Sequence, residues 1–118
     1  MVIRQGDIYW LDLGKPEGAE HGFRRPVIVT QSNLFNDTTV QTVIVCVLSS
    51  NLSYAHFPGN VIVQPEESGL PRDSVVNVTQ LVTIDRSRLN DRDYCGTVSA
   101  SVMSVIHEGI RLIFSLIP

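Results

Sequence analysis

The residues best equipped for chemistry gather in two short stretches. Between Gly14 and Arg25 run Lys15, Glu17, Glu20, His21, Arg24 and Arg25, punctuated by glycines at 14, 18 and 22. Titratable side chains crowded into a glycine-containing loop between two strands suit a binding or catalytic surface, although a merely solvated loop has a similar composition. The second stretch, Ser49-Ser50-Asn51, follows the apolar run Val43–Leu48. Hydroxyls at the end of a buried strand are held rigidly enough to position a phosphate, while the plainer role for such serines is to cap a turn. The three histidines, His21, His56 and His107, fall on a loop, a second loop and a helix; imidazole titrates near neutral pH, so His21 and His56 are acid–base candidates, and His107 is expected to face solvent.

Other active-site chemistries are excluded by inspection. The chain has no phosphate-binding glycine loop, no His-Glu-x-x-His helix, no Gly-x-Ser-x-Gly elbow and no Cys/His set at metal-ligand spacing. No metal or cofactor is expected. Cys46 and Cys95 are isolated, and Cys46, inside Val43–Leu48, reads as a buried thiol. The net charge of −3 argues against a broad basic face for nucleic acid. It leaves room for a local basic site, because Arg24, Arg25, Arg72, Arg86, Arg88 and Arg92 lie in loops.

These groups must be carried by a small scaffold. At 118 residues and 43% hydrophobic, the chain reads as one domain spanning residues 1–118. Charges interrupt the N-terminus before any signal-like apolar run forms, and no stretch is long enough to span a bilayer, so a cytoplasmic protein is expected. Three Asn-x-Ser/Thr sequons, beginning at Asn36, Asn51 and Asn77, carry no meaning without export. Ile8–Leu13, Pro26–Thr30, Thr42–Leu48, Asn60–Gln64 and Ser74–Val78 are β-branched or aromatic runs of strand length separated by turn residues, a pattern that suggests a closed or half-closed antiparallel barrel. After Ser99, a good N-cap, Val102, Ile106, Ile110, Ile113 and Ile117 recur every three or four residues, predicting a C-terminal helix whose apolar stripe, widened by Met103, Leu112 and Leu116, should lie on the barrel or on another subunit. Gly109 within it marks a close contact.

Taken in order, these pieces resemble the MazF/PemK family of toxin endoribonucleases over nearly the whole chain. Arg4-Gln5-Gly6-Asp7-Ile8-Tyr9-Trp10 looks like the family's opening strand, and Gly18-Ala19-Glu20-His21-Gly22-Phe23-Arg24-Arg25-Pro26-Val27-Ile28-Val29 like its Gly-Ser-Glu…Arg-Pro-x-x-Val signature. Val47-Leu48-Ser49-Ser50-Asn51 resembles the third-strand exit, and Gly69–Val76, Gln80 and Thr83–Leu89 the distal segment. The resemblance implies a mainly β fold with a C-terminal helix, an SH3-like barrel of the CcdB/MazF type, acting as a homodimer. It implies metal-independent cutting of single-stranded RNA at short sequences by attack of the ribose 2′-OH on the adjacent phosphate, and silencing by a cognate antitoxin. Arg25 falls on the family's catalytic arginine and Ser49 on its catalytic threonine, a replacement that keeps the hydroxyl but loses the methyl that restricts its rotamer. Glu20 falls on an acidic position of the same loop and ranks third.

The chemistry agrees with that assignment. RNA carries its own nucleophile, so an enzyme need only remove a proton, stabilise charge and protonate the leaving oxygen. Arginine presents a permanently charged, planar fork to phosphate oxygens but is a poor base; proton removal is left to Glu20, His21 or water. Base selection is expected from loops Lys15–Phe23 and Leu52–Gly59. There His21, Arg24, Ser50, Asn51, Tyr54, His56, Phe57 and Gln80 are the candidate RNA contacts, with Tyr54, His56 and Phe57 able to stack on bases. Packing of Tyr54 and Phe57 over the barrel mouth is the alternative. Two rival functions remain: a non-catalytic CcdB-like toxin that binds a topoisomerase, which needs no Arg25–Ser49 pair, and an SH3-like binding module, which needs an exposed aromatic groove.

Overall fold

The computed structural model describes residues 2–116. It contains six strands: β1 (Asp7–Asp12), β2 (Arg24–Val29), β3 (Thr42–Ser49), β4 (Val61–Val63), β5 (Ser74–Asp85) and β6 (Tyr94–Thr97). Three helices accompany them: α1 (Asn33–Asn36), α2 (Pro65–Ser68) and α3 (Ala100–Ile113). The strands form one antiparallel sheet in the order β4-β5-β3-β2-β1-β6. This curled, half-barrel sheet with its C-terminal helix is the architecture expected.

The central strands are unbroken β-branched runs because both of their faces are buried. Ile8, Ile28, Cys46, Leu48, Val76 and Val78 pack with Met103 and Ile106 of α3. Their neighbours in sequence, Tyr9, Leu11, Val27, Val29, Val45 and Val47, point the other way and pack with Ile84 and Leu89. Cys46 is fully buried, as expected, and burial pushes its thiol pKa up to about 12. The same burial, with the Asp7 carboxylate beside it, raises the Tyr9 phenol above its ordinary value.

Two features of the sheet go beyond the sequence pattern. The strand expected at Ser74–Val78 continues to Asp85, passing a register shift: Leu48 pairs with Val76 but Cys46 pairs with Leu81. Residues 77–80 therefore bow out of the ladder at the rim, re-aiming their side chains as bulges do. The sixth strand, Tyr94-Cys95-Gly96-Thr97, was not anticipated; a glycine inside four residues hides its pattern, and pairing to β1 supplies what local propensity does not. Between the outermost strands lies α2. A Cβ on Gly69 would sit 2.0 Å from the Cys95 carbonyl oxygen, and the Glu67 carboxylate accepts the Ser99 N–H at 2.7 Å, so α2 ties the β4 side to β6.

Helix α3 begins as expected, with Ser99 Oγ accepting the Val102 N–H at 3.3 Å. Val102, Met103, Ile106, Ile110 and Ile113 face the sheet. Leu112 and Leu116 are exposed and do not widen the packed stripe, and Ile117 lies outside the described residues. Gly109 is the close contact foreseen: a Cβ there would stand 2.1 Å from the Gly59 carbonyl oxygen. His107 does not face solvent as expected. It is half-buried, with Nε2 at 3.2 Å from Gln5 Nε2, and burial followed by the nearby Arg111 charge lowers its pKa. Its ring reaches the Gln5 side chain of the N-terminal segment, a long-range contact that the helical period alone does not reveal.

Candidate active site

Arg25 opens β2 and Ser49 closes β3, and the pairing of these two strands decides whether they meet. Val27 pairs with Val47, Ile28 with Cys46 and Val29 with Val45. Continued two residues to the strand ends, this register sets Arg25 across from Ser49, on the same face of adjacent strands about 5 Å apart. Arg25 is half-buried, and its Nε–H donates to the Gly22 carbonyl at 3.2 Å, leaving the terminal nitrogens free of any protein partner among the described residues. Ser49 is 2% exposed, and its Oγ accepts the Asn51 N–H at 3.1 Å. That contact occupies a lone pair and leaves the hydroxyl proton to rotate toward an acceptor.

The β1–β2 loop folds back beside Arg25, whose Nε it holds through the Gly22 carbonyl. Its ends are pinned by Leu13 N–H to the Phe23 carbonyl at 2.7 Å and Phe23 N–H to the Gly14 carbonyl at 2.6 Å. Gly22 has no room for a side chain, because a Cβ would meet the Pro16 ring at 2.4 Å. Glu20 is exposed, and its Oε1 accepts the Glu17 N–H at 2.9 Å. His21 turns inward. Its N–H donates to Gln80 Oε1 at 3.4 Å, its Nε2 lies 3.1 Å from Asn77 Nδ2, and its ring meets Tyr54 edge to face at 5.1 Å. Burial, then the Arg25 charge, lowers the His21 pKa.

The two expected recognition loops thus do converge, through His21 and Tyr54. Tyr54 belongs to a 3-10 turn over Leu52–His56 that Asn51 caps, its Oδ1 accepting the Ser53 N–H at 3.1 Å. Phe57 packs loosely against Tyr54, 6.2 Å between centroids, and stays exposed, as does His56. His21 and His56 therefore do not form an acid–base couple: one is docked on β5 and the other points to solvent. Alongside lies a cleft of about 310 Å³ where Trp10, Arg24, Arg25, Leu48, Ser50 and Arg72 come together. Arg24 is already engaged there, over the Trp10 ring at 5.6 Å and paired with Asp93 at 3.1 Å. Arg86 sits elsewhere, donating to the carbonyls of Val40 and Asn36.

Sequence reasoning did not find Trp10, Asn60 or Asn77 as site residues. Trp10 reads as a strand aromatic, and the two asparagines acquire their role only through the bulge in β5, which no local pattern announces. Among the described residues no three His, Cys, Asp or Glu side chains converge as a metal site.

The model of the family described as PemK-like, MazF-like toxins of type II toxin–antitoxin systems matches residues 4–114. The chain belongs to the PemK/MazF toxin family. Endoribonuclease MazF6 of Mycobacterium tuberculosis is 46% identical over 116 residues, spanning 98% of this chain and 100% of that protein. Endoribonuclease EndoA of Bacillus subtilis is 32% identical over 117 residues, spanning 99% and 98%. Among solved structures, an endoribonuclease in complex with its cognate antitoxin from a Mycobacterial species matches with a TM-score of 0.78 at 22% identity, over 98% of each chain. This toxin therefore has the family fold along its full described length.

Proposed function

We propose that this toxin is a sequence-specific endoribonuclease that cleaves single-stranded RNA by transphosphorylation, without a metal ion. The observation that carries the reading is the strand register that, continued to the strand ends, sets half-buried Arg25 across from the buried hydroxyl of Ser49. The free terminal nitrogens of Arg25 suit the non-bridging oxygens of the scissile phosphate, where charge develops as the 2′-OH attacks. The Ser49 hydroxyl adds a hydrogen bond to the same group, worth about 1–3 kcal/mol to a charged acceptor. Glu20 is the only carboxylate between Gly18 and Arg25, and its exposure lets it accept the 2′-OH proton.

The names of the relatives support RNA as the substrate. Exposed Asn51, His56 and Phe57, half-buried Tyr54 and Gln80, and the Arg24–Ser50–Arg72 cleft supply base-stacking and phosphate-binding groups around the cut. The non-catalytic topoisomerase-binding reading has no comparable support. We assign the toxin a homodimeric state, with the exposed Val105, Leu112 and Phe114 of the α3 region as apolar surface to cover, and a cognate antitoxin as inhibitor. The end chemistry of the products tests the mechanism. Cleavage should leave a cyclic phosphate and a free 5′-OH, and a deoxyribose at the cut position should block it; hydrolysis of that deoxy substrate would refute attack by the 2′-OH.

A further inference from the structure

Behind Arg25 runs a hydrogen-bond chain that the reaction chemistry does not use. The Val78 N–H donates to Asn60 Oδ1 at 2.9 Å. A backbone amide can only donate, so this contact fixes which end of Asn60 is oxygen. Asn60 Nδ2 then donates to the Tyr54 carbonyl at 2.9 Å and to Asn77 Oδ1 at 3.2 Å, and Thr79 Oγ1 donates to that same Asn77 oxygen at 3.2 Å. What Asn77 turns toward His21 Nε2, at 3.1 Å, is therefore its NH2 group. An amide NH2 has only protons to offer, so Nε2 presents its lone pair, the ring is neutral, and the ring proton sits on Nδ1.

We propose that His21 is a positioning residue for Arg25: its neutral ring, bonded to Asn77, latches the β1–β2 loop onto β5, and a second ring proton opens the latch. The proposal rests on the reading of Arg25 as the phosphate-binding group. The mechanical link is short. Gly22, the residue after His21, supplies the carbonyl that holds Arg25 Nε, so releasing His21 releases the contact that aims the guanidinium. The groups facing His21 are the Arg25 charge from β2, the Tyr54 ring from the 3-10 turn, Asn77 from β5 at Nε2, and Gln80 from β5, which accepts the His21 backbone N–H. Of these only Arg25 is charged, and it repels an imidazolium. An imidazolium would also point N–H at the Asn77 NH2, donor against donor. With its lone pair engaged in this way, Nε2 is not available as the general base, and His21 acts through Arg25 instead.

NMR on the 15N-labelled protein tests the latch without any substrate. The expected result is the Nδ1–H tautomer for His21, a titration midpoint below 6.5, and an Arg25 Nε–H signal lost at that same midpoint. His21→Ala should lower kcat about three- to tenfold with little change in KM, the scale of one lost hydrogen bond. His21→Gln, whose side-chain carbonyl accepts from Asn77 without titrating, should recover most of that loss and remove the acid limb of the kcat profile. In Asn77→Asp the carboxylate accepts from the imidazolium, so the His21 midpoint should rise and the Arg25 signal should persist into acid. An Nε2–H tautomer, or an Arg25 signal indifferent to His21 titration, overturns the proposal. Intact RNA alongside the expected NMR signature upholds the latch and refutes the nuclease reading instead.

Discussion

Two side chains, Arg25 and Ser49, carry unequal tasks in the proposed reaction. Arg25→Ala should lower kcat by about 100- to 1,000-fold, the usual cost of deleting a fixed charge-stabilising donor. Arg25→Lys should recover only part of it, since an ammonium lacks the planar fork. Ser49→Ala should cost about tenfold, and Ser49→Thr should match or exceed wild type because the added methyl restricts the hydroxyl rotamer. Ser50→Ala is the comparison: Ser50 is exposed in the cleft that Arg25 also lines, one residue beyond the position that the β2–β3 register sets across from Arg25. Steady-state rates on one RNA substrate decide among these, and a loss in Ser50→Ala exceeding that in Ser49→Ala would move the hydroxyl role by one residue. Arg25 and Ser49 could be proposed from the chain because they fall on motif positions of the family it resembles, at the edges of two apolar runs. Asn60 and Asn77 were not, because a polar residue at a bulge looks like any loop asparagine until the register of its partner strand is known.

Elements explain why those residues stay put. The register between β2 and β3 is locked because Val27, Val29, Val45 and Val47 are buried on one face and Ile28, Cys46 and Leu48 on the other, so a one-residue slip would exchange the two cores and separate Arg25 from Ser49. Helix α3 holds the far side of the sheet at one narrow point. Gly109→Ala would drive a methyl into the Gly59 carbonyl and should destabilise the fold by about 1–3 kcal/mol, whereas Ser99→Ala should cost about 1 kcal/mol through the lost cap. Denaturant midpoints read both, and a neutral Gly109→Ala would mean that the helix can slide on the β4 side. Five strands were visible as short β-branched or aromatic runs between turn residues, and this helix as a three-to-four repeat. The sixth strand and the bridging α2 were not, since four residues with an internal glycine and one helical turn carry too little local signal and are specified by their neighbours.

For the whole molecule, protonation couples the site to stability. His21 and His107 both have pKa values lowered by burial, each then by a nearby arginine. The unfolded chain therefore takes up protons that the folded chain resists. Their contribution is fully present above the ordinary histidine value of 6.5 and is lost as pH falls from there through the lower folded values. Denaturation at about pH 7.5 and about pH 5.5 should show lower stability in acid, and the His21→Gln/His107→Gln double variant should flatten the difference. Expressed alone, the chain should arrest growth of a bacterial host, and co-expression of the cognate antitoxin should relieve the arrest. The most direct test of the central claim incubates purified protein with single-stranded RNA in excess EDTA, alongside Arg25→Ala. The wild type should cut at discrete positions, and the variant should leave the RNA intact. RNA left whole by the wild type under chelation, or cut equally by Arg25→Ala, would contradict that claim.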